Sequence, residues 1–141
     1  MNKFHFYPLV LFGMLLLQSC ADKIVSECND TTAPSGLRSR LSSIQQYIYT
    51  PTCALSGCHG GTNPQHELDL SNTVNSYANL VNVTSHENDA LKRVDPGNSA
   101  QSWLIKKVNG DGTSAMPPTG MLSAATIDTI AAWIDAGALN N

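Results

Sequence analysis

Cys53-Ala-Leu-Ser-Gly-Cys58-His59-Gly-Gly61 puts two thiols and an imidazole into one short stretch of this 141-residue chain. Gly57, Gly60 and Gly61 surround the second thiol and the imidazole, and residues without a Cβ permit tight turns and close approach to the backbone. The stretch decides the fold because the helices on either side of it must be arranged around whatever these three side chains hold. Immediately upstream, Leu37, Leu41, Ile44 and Ile48 recur with the period of one helix face, which Tyr47 can extend. Thr50-Pro51 is expected to stop that helix, since proline lacks an N–H and restricts the residue before it. The thiols and imidazole therefore belong to a helix end and its adjoining loop.

Downstream, Leu68, Leu70, Val74, Leu80, Val81 and Val83 run through a segment heavy in Asn and Ser, with room for a short helix around Val74 to Leu80. A further helix is expected from Asn98 to Val108, with Asn98 or Ser99 as cap and Trp103, Leu104 and Val108 on one face. Asn109-Gly110-Asp-Gly112 ends it. In the last helix Ser123 is the cap, Leu122 and the adjacent Met121 form a staple, and Ile127, Ile130 and Ile134 repeat at helical spacing until Gly137. No strand pattern of useful length occurs. The fold class is all-α, with about three to five helices and long loops.

The start of the chain bears on the compartment that the thiols meet. Lys3 precedes a short apolar run, Leu9 to Leu17, about half the roughly 20 residues a membrane-spanning helix needs, so residues 1–19 read as a signal peptide. Leu17-Gln18-Ser19-Cys20 resembles a bacterial lipoprotein processing site, in which Cys20 becomes the lipid-modified first residue. An ordinary secretory signal with an incidental Cys20 is the other possibility. Either way the product is exported, away from the reducing cytosol. Residues 20–36 are a lipidated N-terminus and flexible tether, and 37–141 form one folded domain.

Eight basic residues against eleven acidic ones give a formal charge of -3. That balance excludes nucleic acid as a partner, because such binding depends on Lys and Arg neutralising phosphates. No P-loop, dinucleotide fingerprint, nucleophilic serine motif or pair of catalytically spaced carboxylates is present. Ser123 and Asp128 belong to the last helix rather than to a triad.

Three chemistries can use the central stretch. A c-type haem site normally reads C-x-x-C-H, and here the spacing is C-x4-C-H. In that chemistry Cys53 and Cys58 form thioethers and His59 supplies a nitrogen to iron. Zinc accepts the same three ligands and would need a fourth from His66, Asp69 or Cys28. The third possibility is a Cys53–Cys58 disulfide with His59 merely exposed.

Met116-Pro117-Pro118 weighs towards haem. It lies in a glycine-bounded loop, where a packing methionine is less expected than in a helix, and a thioether pairs with histidine in electron-transfer haems. The two prolines restrict the loop that carries the sulfur. Met121 is the weaker thioether candidate. His66 and His86 are alternative second ligands, although they read as solvent-facing among Asn, Gln and Glu.

From Leu37 to Leu139 the chain resembles the small bacterial class I mono-haem cytochromes c. The resemblance rests on Ile44 to Tyr49, on Cys53 to Gly61, on Val94-Asp-Pro-Gly-Asn98 with Ser102-Trp-Leu104, on Met116-Pro117, and on Ile130-Ala-Ala-Trp133-Ile134-Asp-Ala-Gly137-Ala138. It implies a cytochrome c-like fold around one covalently bound haem c, with first and last helices crossing near the haem edge. It also implies thioethers at Cys53 and Cys58, axial ligands His59 and Met116, and Trp133 at the helix contact or near the haem. The longer gap between the cysteines departs from the usual pattern and leaves open whether one or two thioethers form. Cys28 would stay unpaired unless it bridges to Cys53. The implied function is one-electron transfer rather than enzymatic turnover, with redox proteins of the cell envelope as partners and the N-terminal lipid as the membrane attachment, facing the periplasm or cell surface. The alternatives are a non-redox envelope lipoprotein with a disulfide or zinc staple, and a haem sensor or enzyme in which Met116 is off the iron.

Overall fold

A computed structural model describes residues 33–141. The expected signal segment, lipidation at Cys20, most of the tether and the pairing of Cys28 lie outside them. The first helix opens as α1, Leu41–Ile44, and runs on through a wider π-helical segment, Gln45–Cys53. Leu41, Ile44 and Ile48 are all buried, as their spacing predicts. Leu37 packs against the same core from outside the helix.

Two boundaries differ from the sequence expectation. The helix begins at Leu41 because Asn141 caps it from the far end of the chain. The Leu41 N–H donates to Asn141 Oδ1 at 3.0 Å, and the Ser42 N–H to the Asn141 carbonyl at 2.7 Å. These bonds satisfy amides that have no partner inside a helix. Pro51, expected to stop the helix, instead lies inside it. In α geometry the proline ring would strike the carbonyl four residues back. The wider turn relieves that clash, and the Ala54 N–H reaches the Tyr49 carbonyl five residues back at 2.7 Å.

The second helix, α2 (Thr73–Leu80), is capped by Asn72, whose side chain accepts from the Asn75 N–H at 3.0 Å. The helix expected over Asn98–Val108 is divided into a short 3-10 turn, Ser99–Gln101, and α3, Trp103–Asn109. Ser102 causes the division. It is fully buried, accepts from the Asp95 N–H and donates to the Asn98 carbonyl, both at 2.9 Å, and holds an extended conformation between the two pieces. Gly110 in the left-handed region closes α3. The last helix, α4, is Ala124–Asp135, and the Ser123 hydroxyl accepts from the Thr126 N–H at 3.2 Å. Met121 is 66 % exposed, so it does not serve the staple.

Leu41, Ile44, Ile48 and Tyr49 from the first helix share one core with Ile130, Trp133 and Ile134 from α4. Trp133 lies in this core and donates its Nε1–H to the Leu139 carbonyl at 2.9 Å. Among the described residues the only β structure is isolated bridges, so the protein is an all-α assembly of four short α-helices joined by long loops. No described helix is long and apolar enough to cross a membrane.

Candidate functional site

Where the π-helical segment ends, the chain turns back on itself. The Cys58 N–H donates to the Leu55 carbonyl and the His59 N–H to the Cys53 carbonyl, each at 3.0 Å, closing the loop between the cysteines. Gly60 is sterically obligatory here, because a Cβ at this position would collide with the Ala54 carbonyl oxygen. Replacing Gly60 with alanine is expected to destabilise the protein by about 1–3 kcal/mol, as overpacked sites do, a loss readable from urea unfolding. The same change at Gly57, which has open space around it, tests only the cost of its left-handed backbone.

His59 is held by its own loop. Its Nδ1 lies 3.3 Å from the Gln65 carbonyl, which can only accept, so the ring proton sits on Nδ1 and the Nε2 lone pair is left for a ligand. Burial is the largest influence on this imidazole and lowers its pKa, with His66 and Arg93 nearby acting in the same direction. The result is the neutral form that a metal needs. The Cys53 thiol is pushed up to about 11, first by burial and then by Cys58. Among the described residues neither Cys53 nor Cys58 forms a disulfide.

Met116 reaches the site on the loop after α3. Its N–H donates to the Lys107 carbonyl at 2.8 Å. The Lys107 side chain, almost fully buried, pairs with Glu87 at 2.8 Å and donates to Thr113 Oγ1 at 3.3 Å. One residue thereby holds the methionine loop by its main chain and ties two neighbouring segments by its ammonium group.

Cys53, Cys58 and His59 from one stretch and Met116 from a distant loop line a single cavity of about 300 Å³. Its walls are mainly apolar, with Ile48, Leu70, Leu80, Leu104 and Val108 among them. Cys20 lies outside the described residues. His66 and His86, expected to face solvent, line the cavity while remaining about half exposed. Their rings meet edge to face at 6.4 Å, and their Nε2 atoms are 3.8 Å from Glu87 and 4.0 Å from Glu67 respectively. Among the described residues no three His, Cys, Asp or Glu side chains are grouped to hold a metal ion by themselves, and neither His66 nor Asp69 completes a cluster with the cysteines.

Sequence reasoning missed three polar groups in the wall. Tyr49 Oη is buried with no hydrogen-bond partner among the described residues, and burial raises the phenol pKa strongly, so it remains a neutral donor. Arg93 is 6 % exposed and spends two donors on the carbonyls of Asn79 and His66, at 2.9 and 2.7 Å. Among the described residues no carboxylate forms an ion pair with it, which leaves a buried cation beside an apolar space. Lys107 had a legible signal, since it shares the helical phase of Trp103, Leu104 and Val108. Arg93 had none: it is placed by the non-local bonding of Val94 to Leu80 and Asn82.

The Glu87–Lys107 pair makes a pH-dependent contribution. The Lys107 hydrogen bond is the main cause holding the Glu87 carboxyl below its usual range. A carboxyl depressed on folding stabilises the protein above its unfolded-state pKa, and that stability is lost as pH falls through the folded value. Glu87→Gln, which mimics the protonated side chain, is expected to lower the melting temperature at neutral pH. The gap to the parent protein should close in strong acid, and a gap unchanged across that range would contradict the pairing.

Comparison with protein-family models, with curated proteins and with solved structures gave no match. The functional reading rests on the chain's own residues.

Proposed function

We propose that this protein is a mono-haem c-type electron carrier of the cell envelope, with a cytochrome c-like arrangement of its helices and attachment to the membrane through a lipid at Cys20. The observation that carries the reading is the convergence of Cys53, Cys58, His59 and Met116 on one apolar cavity. The residues fit a haem on three further counts. His59 presents an unprotonated Nε2, and among the described residues the Tyr49 hydroxyl lacks a partner and buried Arg93 forms no ion pair. A group with an apolar ring, a metal centre and an acidic edge satisfies all three.

The roles of the residues follow from their chemistry. Cys53 and Cys58 would hold the group covalently, each adding its S–H across a vinyl group: an S–C and a C–H bond would form, the S–H bond and the π bond would break, and no oxidant would be consumed. His59 Nε2 and Met116 Sδ would be its donors to iron, and the Gln65 carbonyl keeps the imidazole in the required tautomer. When bound, haem would supply a one-electron change at iron, and two protein donors would favour electron transfer over catalysis. The apolar wall keeps water from the centre. Arg93 and Tyr49 offer donors to the acidic edge. Redox proteins of the envelope are the corresponding partners.

The test is to produce the chain in cells that carry haem-attachment machinery and to denature the product. The expected result is a protein that stays red and carries the added mass of one haem, both of which vanish in Cys53→Ala/Cys58→Ala. The single substitutions count the thioether bonds. A colourless protein holding zinc or a Cys53–Cys58 disulfide would refute the proposal.

A further inference from the structure

Gln45 is a polar side chain in the middle of the first helix, 6 % exposed and among apolar neighbours. Such a group costs stability unless its hydrogen bonds are made. Here they are made across three elements. Its Nε2 donates to Thr50 Oγ1 at 3.0 Å and to the Leu70 carbonyl at 2.8 Å. Its Oε1 accepts from the fully buried Ser76 hydroxyl of α2 at 2.6 Å. The other side of Leu70 faces the site: its N–H donates to the His59 carbonyl at 2.7 Å, and its side chain lines the cavity.

Leu70 therefore stands between the carboxamide and the main chain of the imidazole-bearing residue. A helix needs no polar residue at such a position, and an apolar one would fill it without any requirement for three partners. The Leu70 carbonyl can only accept, so it draws the NH₂ of the amide towards itself and leaves Oε1 to accept from the Ser76 hydroxyl. His59 is also held by its N–H bond to the carbonyl of Cys53, the last residue of the first helix, and by Gln65 in its own loop. The bond through Leu70 adds a second tie, one that reaches the middle of the first helix and α2 by way of Gln45.

We infer that Gln45 is a positioning residue for His59: through Leu70 it transmits the rigidity of the first helix and α2 to the ligand loop and sets the orientation of the imidazole over the cavity. The inference rests on the haem reading for what the imidazole holds, and the two fail differently.

The experiment uses the full chain loaded with haem, comparing the parent protein with Gln45→Met, which keeps length and apolar volume but makes none of the three bonds, and with Ser76→Ala. Covalent haem is verified first by mass. The readout is the spread of the haem methyl resonances in the ferric protein, which reports imidazole orientation, together with the exchange rate of the Leu70 amide. In Gln45→Met the methyl pattern is expected to change and Leu70 exchange to accelerate at least tenfold. Ser76→Ala should shift the same resonances in the same direction by less. If Gln45→Met does not fold, Ser76→Ala carries the test. A variant that merely melts earlier, with methyl pattern and Leu70 exchange unchanged, overturns the positioning role while leaving the haem reading intact. A parent protein that takes up no haem overturns both.

Discussion

Replacing Met116 with alanine in the haem-loaded protein is expected to open one axial position, remove the low-spin spectrum of a thioether-ligated haem and let carbon monoxide bind the ferrous form. The reduction potential should fall, because a soft thioether favours ferrous iron over ferric. Axial ligands tune haem potentials over about 0.8 V, and a fall of at least roughly a tenth of that range is expected. The loop itself should survive, since Met116 is tied through its main chain to the Lys107 carbonyl, a bond that alanine keeps. Optical spectra of both oxidation states and a potentiometric titration check the prediction. An unchanged spectrum and potential would remove Met116 from the iron and turn attention to His66 and His86 in the same cavity wall. Carbon monoxide binding by the unsubstituted protein would point to a sensor or enzyme rather than a carrier.

Truncating Trp133 to alanine is expected to cost about 3–5 kcal/mol, measured as a lowered urea midpoint at unchanged slope. Trp133 is 1 % exposed and sits in the core that α4 shares with the first helix, so its removal leaves a cavity that the neighbouring side chains cannot fill. The Leu139 carbonyl also loses its indole donor. Domains of this kind are stable by only about 5–15 kcal/mol, so the loss takes a large share of the total. Trp133→Phe should cost less, because most of the packing remains. Trp133 does not line the cavity, and the resonances of His59 and Met116 should therefore change little in the folded fraction. A cost below about 1 kcal/mol for the alanine variant would show that the core does not depend on this side chain.

The legible parts of the fold were those written in local chemistry. Ser123 caps α4 and Asn98 caps the 3-10 turn, where a side-chain oxygen meets an unpaired amide only three residues on. Ile127, Ile130 and Ile134 repeat at helical spacing and are buried as that period requires. The candidate site residues were legible for the same reason, since thiols, imidazoles and thioethers are few and chemically distinctive. Boundaries misread from the sequence were those governed by distant partners. Asn141 starts α1 from the opposite end of the chain, and buried Ser102 divides a segment whose pattern was continuous.

The sequence by itself determined the all-α class, the main helical faces and the identity of Cys53, Cys58, His59 and Met116 as the chemically distinctive side chains, because periodicity and donor type depend on the residues themselves. Only the tertiary structure decided that these four line one cavity, that Arg93 and Tyr49 are buried beside it with neither an ion pair nor a hydroxyl partner among the described residues, and that Gln45 stands behind His59. Desolvation and hydrogen-bond pairing depend on which distant segments exclude water from a group, and no local pattern records that.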